Sequence, residues 1–183
     1  MSDIAVRYRA IADLFDGRVR GVPADGWDRP APCDGWVARD VVRHLVEWVP
    51  SMVLGGAGLP LPELPSVDDD PVEAWAGFDA HLRAVLDDPE LAARPSTSQA
   101  GTYTVEEAIA TFVISDVLVH TWDLARATGQ DESLDPGEVH RAYEGMAPIE
   151  GMLKESGQFG PYVEVADDAD EQTKLLAVCG RRV

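Results

Sequence analysis

TVEEAIATFVISDVLVHTWDLARATG, Thr104 to Gly129, reads as one long apolar helix with an acid and an imidazole in its middle. Thr104 followed by Glu107 is a capping box, and Gly129 stands where a glycine commonly ends a helix. Asp116 and His120 are four residues apart, so their side chains emerge one above the other on one face. Phe112, Val113, Val117 and Val119 surround them, and that face therefore points inward. An ionised carboxylate among such side chains costs several kcal/mol unless something pairs with it. A divalent cation is one such partner. A hydrogen bond to His120, or an arginine from a neighbouring helix, is another, and spacing alone leaves both open.

Working outward, residues 3–20 place Ile4, Tyr8, Ile11, Leu14 and Phe15 at helical spacing, a first amphipathic helix. A Pro-, Gly- and Asp-rich loop follows, anchored by Trp27 and Trp36. Residues 37–54 form a second helix with Val37, Val41, Leu45, Trp48 and Met52 inward; His44 stands at its polar border, where a lone histidine is more often a satisfied core-edge residue than a ligand. The connection GGAGLPLPELPSVDDD is long for a compact domain, which suits either a lid over a mouth or a plain surface crossover. Asp70-Pro71-Val72-Glu73 opens a third helix that runs to Leu86, with His81 toward solvent.

LDDPELAARPSTSQAGTY is expected to be loop with room for a short turn. Beyond the central helix, residues 136–156 form a fifth helical stretch that Pro148 should kink, with His140 exposed near its start. Residues 169–179 form a last short helix capped by Asp168; Tyr162-Val163-Glu164-Val165 is the one candidate strand. The expected fold is an all-α bundle with helices two and four as interior partners, one domain over residues 1–183.

The chain carries 15 Lys+Arg against 33 Asp+Glu, a net charge of −18. Such a surface repels phosphate backbones and anionic lipid, so neither nucleic acid nor membrane is an expected partner. A hydrophobic content of 45% with five Trp argues for a packed globule. Early charges exclude a secretory signal, and no run of about 18 apolar residues is evident. Two cysteines in dissimilar contexts suggest no disulfide framework. A cytoplasmic protein is expected. Apolar surface on helices one and five is what a homodimer would use.

Bundle cores build metal sites from side chains on facing helices. Helix two offers His44, and the central helix offers Asp116 and His120. Two imidazoles and a carboxylate suit Zn²⁺ with a position left for water or substrate; Fe²⁺ or Ni²⁺ would also accept them. Around this set, Glu47 reads as a proton carrier or a solvated helix face, and Trp48 and Trp122 as pocket walls or core. Asp123 reads as an outer carboxylate for His120 or a partner for Arg126. Cys33 is a candidate nucleophile, though no neighbour in sequence lowers its pKa.

The stretch Pro32-Cys33-Asp34-Gly35-Trp36-Val37-Ala38-Arg39-Asp40-Val41-Val42-Arg43-His44-Leu45 resembles the P-C-x-G-W-T-V-R-D-L-x-x-H-L segment of the mycothiol-dependent maleylpyruvate isomerase-like proteins, within the wider DinB/YfiT-like superfamily. Asp116 to Gly129 looks like that family's D/E-x-x-x-H-x-W-D-L-A-x-A-T-G segment, and DDADEQTKLLAVCGR is similar to its C-terminal run. The resemblance implies a DinB/YfiT-like four-helix-bundle core, with additional short C-terminal helices in this chain. It also implies a divalent metal, zinc first and nickel or iron otherwise, held by His44, Asp116 and His120. Mycothiol or a similar thiol would be cosubstrate, and a small electrophile the substrate of transfer or isomerisation. A non-catalytic binding or regulatory bundle is the alternative. Where the isomerase has Glu, Asp116 is one methylene shorter, which is expected to move the metal or change the preferred ion. The isomerase also carries a further C-terminal domain that this chain is expected to be too short to hold, so isomerisation of maleylpyruvate itself is not expected.

Overall fold

The computed structural model describes residues 1–157 and 159–183. Helix α1 (Asp3–Arg20), α2 (Ala38–Val49) and α3 (Pro71–Asp87) are followed by the short α4 (Pro89–Ala92) and a hairpin of β1 (Pro95–Ser98) and β2 (Gly101–Thr104). The central helix, Val105–Thr128, consists of α5 (Val105–Ala108), a wide π turn (Ile109–Val113) and α6 (Ile114–Thr128). Then come α7 (Pro136–Met146), α8 (Glu150–Ser156) and α9 (Glu171–Val178). The fold is an all-α bundle, as the periodicity predicts.

The central helix is packed on more than one side. Both α1 and α2 lie along α6, and α3 closes the bundle against α1 and α2. The apolar faces meet in one core holding Tyr8, Phe15, Trp75, Phe78 and Trp122, all fully buried, with Phe15 and Trp75 edge to face at 4.5 Å. Among the described residues, Val105–Thr128 is the one helix long and apolar enough to cross a membrane, with a mean hydropathy of 1.3 although charged residues interrupt it. Its most apolar window is 72% buried in the bundle, as a core helix would be.

Several boundaries differ from the sequence reading. Helix two stops being α-helical at Val49, because Pro50 lacks an N–H and its ring crowds the preceding turn; a π turn (Pro50–Leu54) and a single 3₁₀ turn (Gly55–Ala57) carry the chain on. The expected loop before Thr104 contains the hairpin, with Pro95 paired to Thr104 and Ser98 to Gly101. Buried Ser96 donates its hydroxyl to the Val53 carbonyl at 2.8 Å, tying the hairpin to the end of helix two. Gly56 permits this approach, since a Cβ there would lie 2.7 Å from Ser96 Oγ.

The long connection after Ala57 is strapped to the core by buried Leu59 and Val67, and Asp68 pairs with Arg39 and Arg43. It is a crossover. Pro148 does break the fifth stretch, through a 3₁₀ turn at Ala147–Ile149. The last helix begins two residues later than expected and is capped by Asp170, which accepts from Thr173 N, rather than by Asp168. Tyr162 to Val165 is not a strand; Val163 N donates singly to the Ala177 carbonyl. His140 is exposed and pairs with Glu171 at 3.0 Å, whereas His81 is half-buried, its Nε2 shielded without a partner.

Candidate functional site

The three side chains singled out from the sequence meet. Helix α2 presents His44 from its second turn, and the α6 face that follows the π turn presents Asp116 and His120. His44 Nε2 lies 3.2 Å from Asp116 Oδ2, and His120 Nε2 lies 3.4 Å from Asp116 Oδ1. One donor atom from each residue falls within 4.8 Å of the others. Tetrahedral bonds of about 2.0–2.1 Å would hold neighbouring donors roughly 3.3 Å apart, so the set fits a first-row divalent ion with little movement of either helix.

Exposure grades across the set. The His44 and Asp116 side chains are 31% and 24% exposed, while His120 is 6% exposed. The open side is therefore where His44 and Asp116 meet. Trp36, from the loop before α2, stacks on the His120 ring at 5.8 Å and 17° and tilts against His44 at 5.2 Å. Trp48 donates its indole N–H to Asp116 Oδ2 at 2.9 Å. It is a wall of the site. Trp122 is core, fully buried with Arg126 above its ring, and Glu47 is exposed on the outer face of α2.

The other ring nitrogen of His120 is also committed. Nδ1 lies 2.8 Å from Asp123 Oδ2, and Asp123 is completely buried. Asp123 thus serves His120; Arg126 pairs with Glu132 instead. Behind Asp123 stands Arg181, which donates from Nε to Oδ1 at 3.1 Å and from Nη2 to Oδ2 at 2.7 Å. Cys33 donates to Asp123 Oδ2 at 3.4 Å and accepts from Arg181 Nη2 at 3.1 Å. Cys33, His120 and Asp123 are close enough to be a second ligand set, but the guanidinium already supplies the positive charge on that side.

These contacts set the protonation of the site's own side chains. Burial alone would lift the Asp116 carboxyl, but the His120 charge and the hydrogen bonds from His44 and Trp48 hold it below its ordinary value. Burial alone would depress His120; Asp116, Asp123 and Cys33 outweigh it and raise the imidazole to about 10. Asp123, which burial would raise, is held at about 2 by His120 and Arg181. A cation entering between the carboxylate and the two Nε2 atoms would take the place of a proton.

Arg181 is the participant that sequence reasoning missed. It lies 58 residues from Asp123, and although the family-like run DDADEQTKLLAVCGR ends on it, no local pattern connects the two.

Residues 8–125 match the family model described as the mycothiol maleylpyruvate isomerase N-terminal domain. The chain belongs to this family. The match contains Cys33, His44, Asp116, His120 and Asp123 and ends before α7, α9 and Arg181. The all-α bundle is consistent with a DinB-like fold. No curated protein and no solved structure matches the chain.

Proposed function

We propose that the protein is a divalent-metal-dependent enzyme that uses a low-molecular-weight thiol, mycothiol or a relative of it, for transfer or isomerisation on a small electrophile. The observation that carries this reading is the convergence of two imidazole Nε2 atoms on one partly exposed carboxylate at distances suited to coordination. His44, Asp116 and His120 would hold the ion, with zinc favoured by the N₂O donor set and nickel or iron accepted by it. Once bound, the ion would supply a Lewis acid that favours the thiolate of an arriving thiol near neutral pH.

The chain's own residues do the rest. Asp123 accepts the His120 Nδ1–H and so directs Nε2 at the site. Trp36 and Trp48 flank the open side and exclude water from the ring faces, leaving entry past His44 and Asp116. Elemental analysis of untreated protein should find about one divalent ion per chain. His120→Ala should lose both the metal and thiol-transfer activity; retention of both by the variant would overturn the proposal.

One observation favours a second reading, a non-catalytic bundle. Asp116 is satisfied without a cation, by Trp48 and the two imidazoles. If chelation leaves the melting temperature unchanged and zinc does not raise it, the site is a partly exposed hydrogen-bond network in a metal-free scaffold.

A further inference from the structure

We propose that Arg181 is a positioning residue for the candidate metal centre, so that docking of the C-terminal segment and cation binding at His44, Asp116 and His120 reinforce one another. This rests on the reading of those three residues as ligands. Arg181 lies outside the stretch that matches the family model, and the geometry of the tail is what ties it to the site.

Helix α9 ends in a Schellman motif: Gly180 N donates to the Ala177 carbonyl at 3.0 Å, and Arg181 N donates to the Leu176 carbonyl at 2.8 Å. Gly180 has φ +78, a conformation that side chains resist, and the Gly160 backbone lies against it, 2.5 Å from where a Cβ would be. The turn therefore fixes the direction in which Arg181 leaves the helix. Above it, α9 is held by buried Leu175, Leu176 and Cys179 against α7.

All the contacts of the guanidinium serve one end. Nη1 donates to the Cys179 carbonyl at 2.7 Å, which braces the side chain on its own turn. Nε and Nη2 grip both oxygens of Asp123, and Nη2 also reaches Cys33 Sγ. A two-armed grip fixes the plane of the carboxylate as well as its charge. Asp123 in turn fixes the His120 ring through Nδ1, and the opposite nitrogen of that ring faces Asp116. The line from tail to site has three links, each a direct contact between side chains. Partners of this kind behind a metal-binding histidine change metal affinity by about 10- to 100-fold. Coupling is reciprocal, so whatever the docked tail contributes to the cation, the cation returns to the tail.

The test compares wild type with Arg181→Met and Arg181→Lys, with His140→Gln as a control that loosens α9 at the His140–Glu171 pair without touching Asp123. Zn²⁺ affinity is measured by competition with a chromophoric chelator. Amide hydrogen exchange in residues 160–183 is followed with and without Zn²⁺. Arg181→Met should bind zinc about 10- to 100-fold more weakly and show an altered Co²⁺ visible spectrum. Arg181→Lys keeps the charge but loses the grip and should fall between, and His140→Gln should bind within about twofold of wild type. Zinc should slow exchange across α9 in wild type and much less in Arg181→Met.

Wild-type affinity in Arg181→Met, or in Arg181→Lys where the methionine variant does not fold, overturns the inference; so does exchange in α9 that ignores zinc. A different failure has a different sign. If wild type takes up no zinc, or His44→Ala binds it equally well, the ligand assignment itself is wrong.

Discussion

His44→Ala separates a coordinating histidine from a hydrogen-bonding one, because the two roles have different costs in the presence and absence of zinc. In the metal-free protein the imidazole makes one 3.2 Å contact to Asp116, is 31% exposed and leaves Trp48 still donating to the same oxygen. Its removal should cost about 1 kcal/mol, or roughly 2–4 °C in a chain of this size. With zinc at one hundred times its dissociation constant, wild type gains about 2.7 kcal/mol by linkage, roughly 5–11 °C at the same conversion. Loss of one of three ligands that weakens binding a hundredfold leaves about 0.4 kcal/mol of that gain, a shift of roughly 1 °C. Differential scanning calorimetry of both proteins, chelated and zinc-loaded, reads all four states. A zinc-induced shift in His44→Ala equal to that of wild type would refute the placement of the ion beside residue 44.

Three further outcomes follow from the structure. Arg7→Met removes two 2.8 Å contacts from buried Glu138, leaving Arg141 as its remaining cation; urea unfolding at pH 7 should show a loss of about 2 kcal/mol. Because the Arg7 hydrogen bond outweighs burial and lowers the Glu138 carboxyl, this stability is present above the ordinary glutamate range and fades as pH falls through the folded value; the gap between variant and wild type should narrow as the pH falls below the ordinary glutamate range. His140 is raised by its hydrogen bond to Glu171, so its contribution is complete below the ordinary histidine range and is lost as pH rises through the folded value. Its NMR titration midpoint should fall toward 6.5 in Glu171→Gln. Gly180→Ala, forced to a positive φ against the Gly160 backbone, should lose at least about 1 kcal/mol and accelerate exchange in α9, measured by mass spectrometry.

What the sequence disclosed depends on how local each feature is. The capping boxes, the spacing of Asp116 and His120 and the inward stripe of each helix are short-range patterns, and the bundle was legible from them; that His44 joins the pair was carried by the family resemblance, since its own position on helix two marks it only as a residue at the polar border. The hairpin was not: PSTS and GTYT have no apolar alternation, since just one of their residues, Ser96, is buried. Asp168 and Asp170 stand two apart before the same helix, and spacing could not choose the cap that Thr173 selects. Arg181 closes the C-terminal run that resembles the family, yet its role was hidden for a different reason. A salt bridge closed across the bundle depends on where a helix-ending turn aims one side chain, and that is tertiary information.

The π turn at Ile109–Val113 sits less than one turn before Asp116. Such a turn accommodates one residue more than an α-helix needs, and every position after it is rotated by about 100° relative to the cap. Removing a single residue from that turn, Thr111 being the exposed one, would leave an uninterrupted α-helix of the same reach. The chain can absorb that change at either end. If the bundle holds α6 fast, the carboxylate and both rings stay put and only the start of the helix turns; if the cap and hairpin hold fast, Asp116 swings away from helix two. Length variation among relatives at this spot is thus a direct gauge of which half of the long helix is the fixed one.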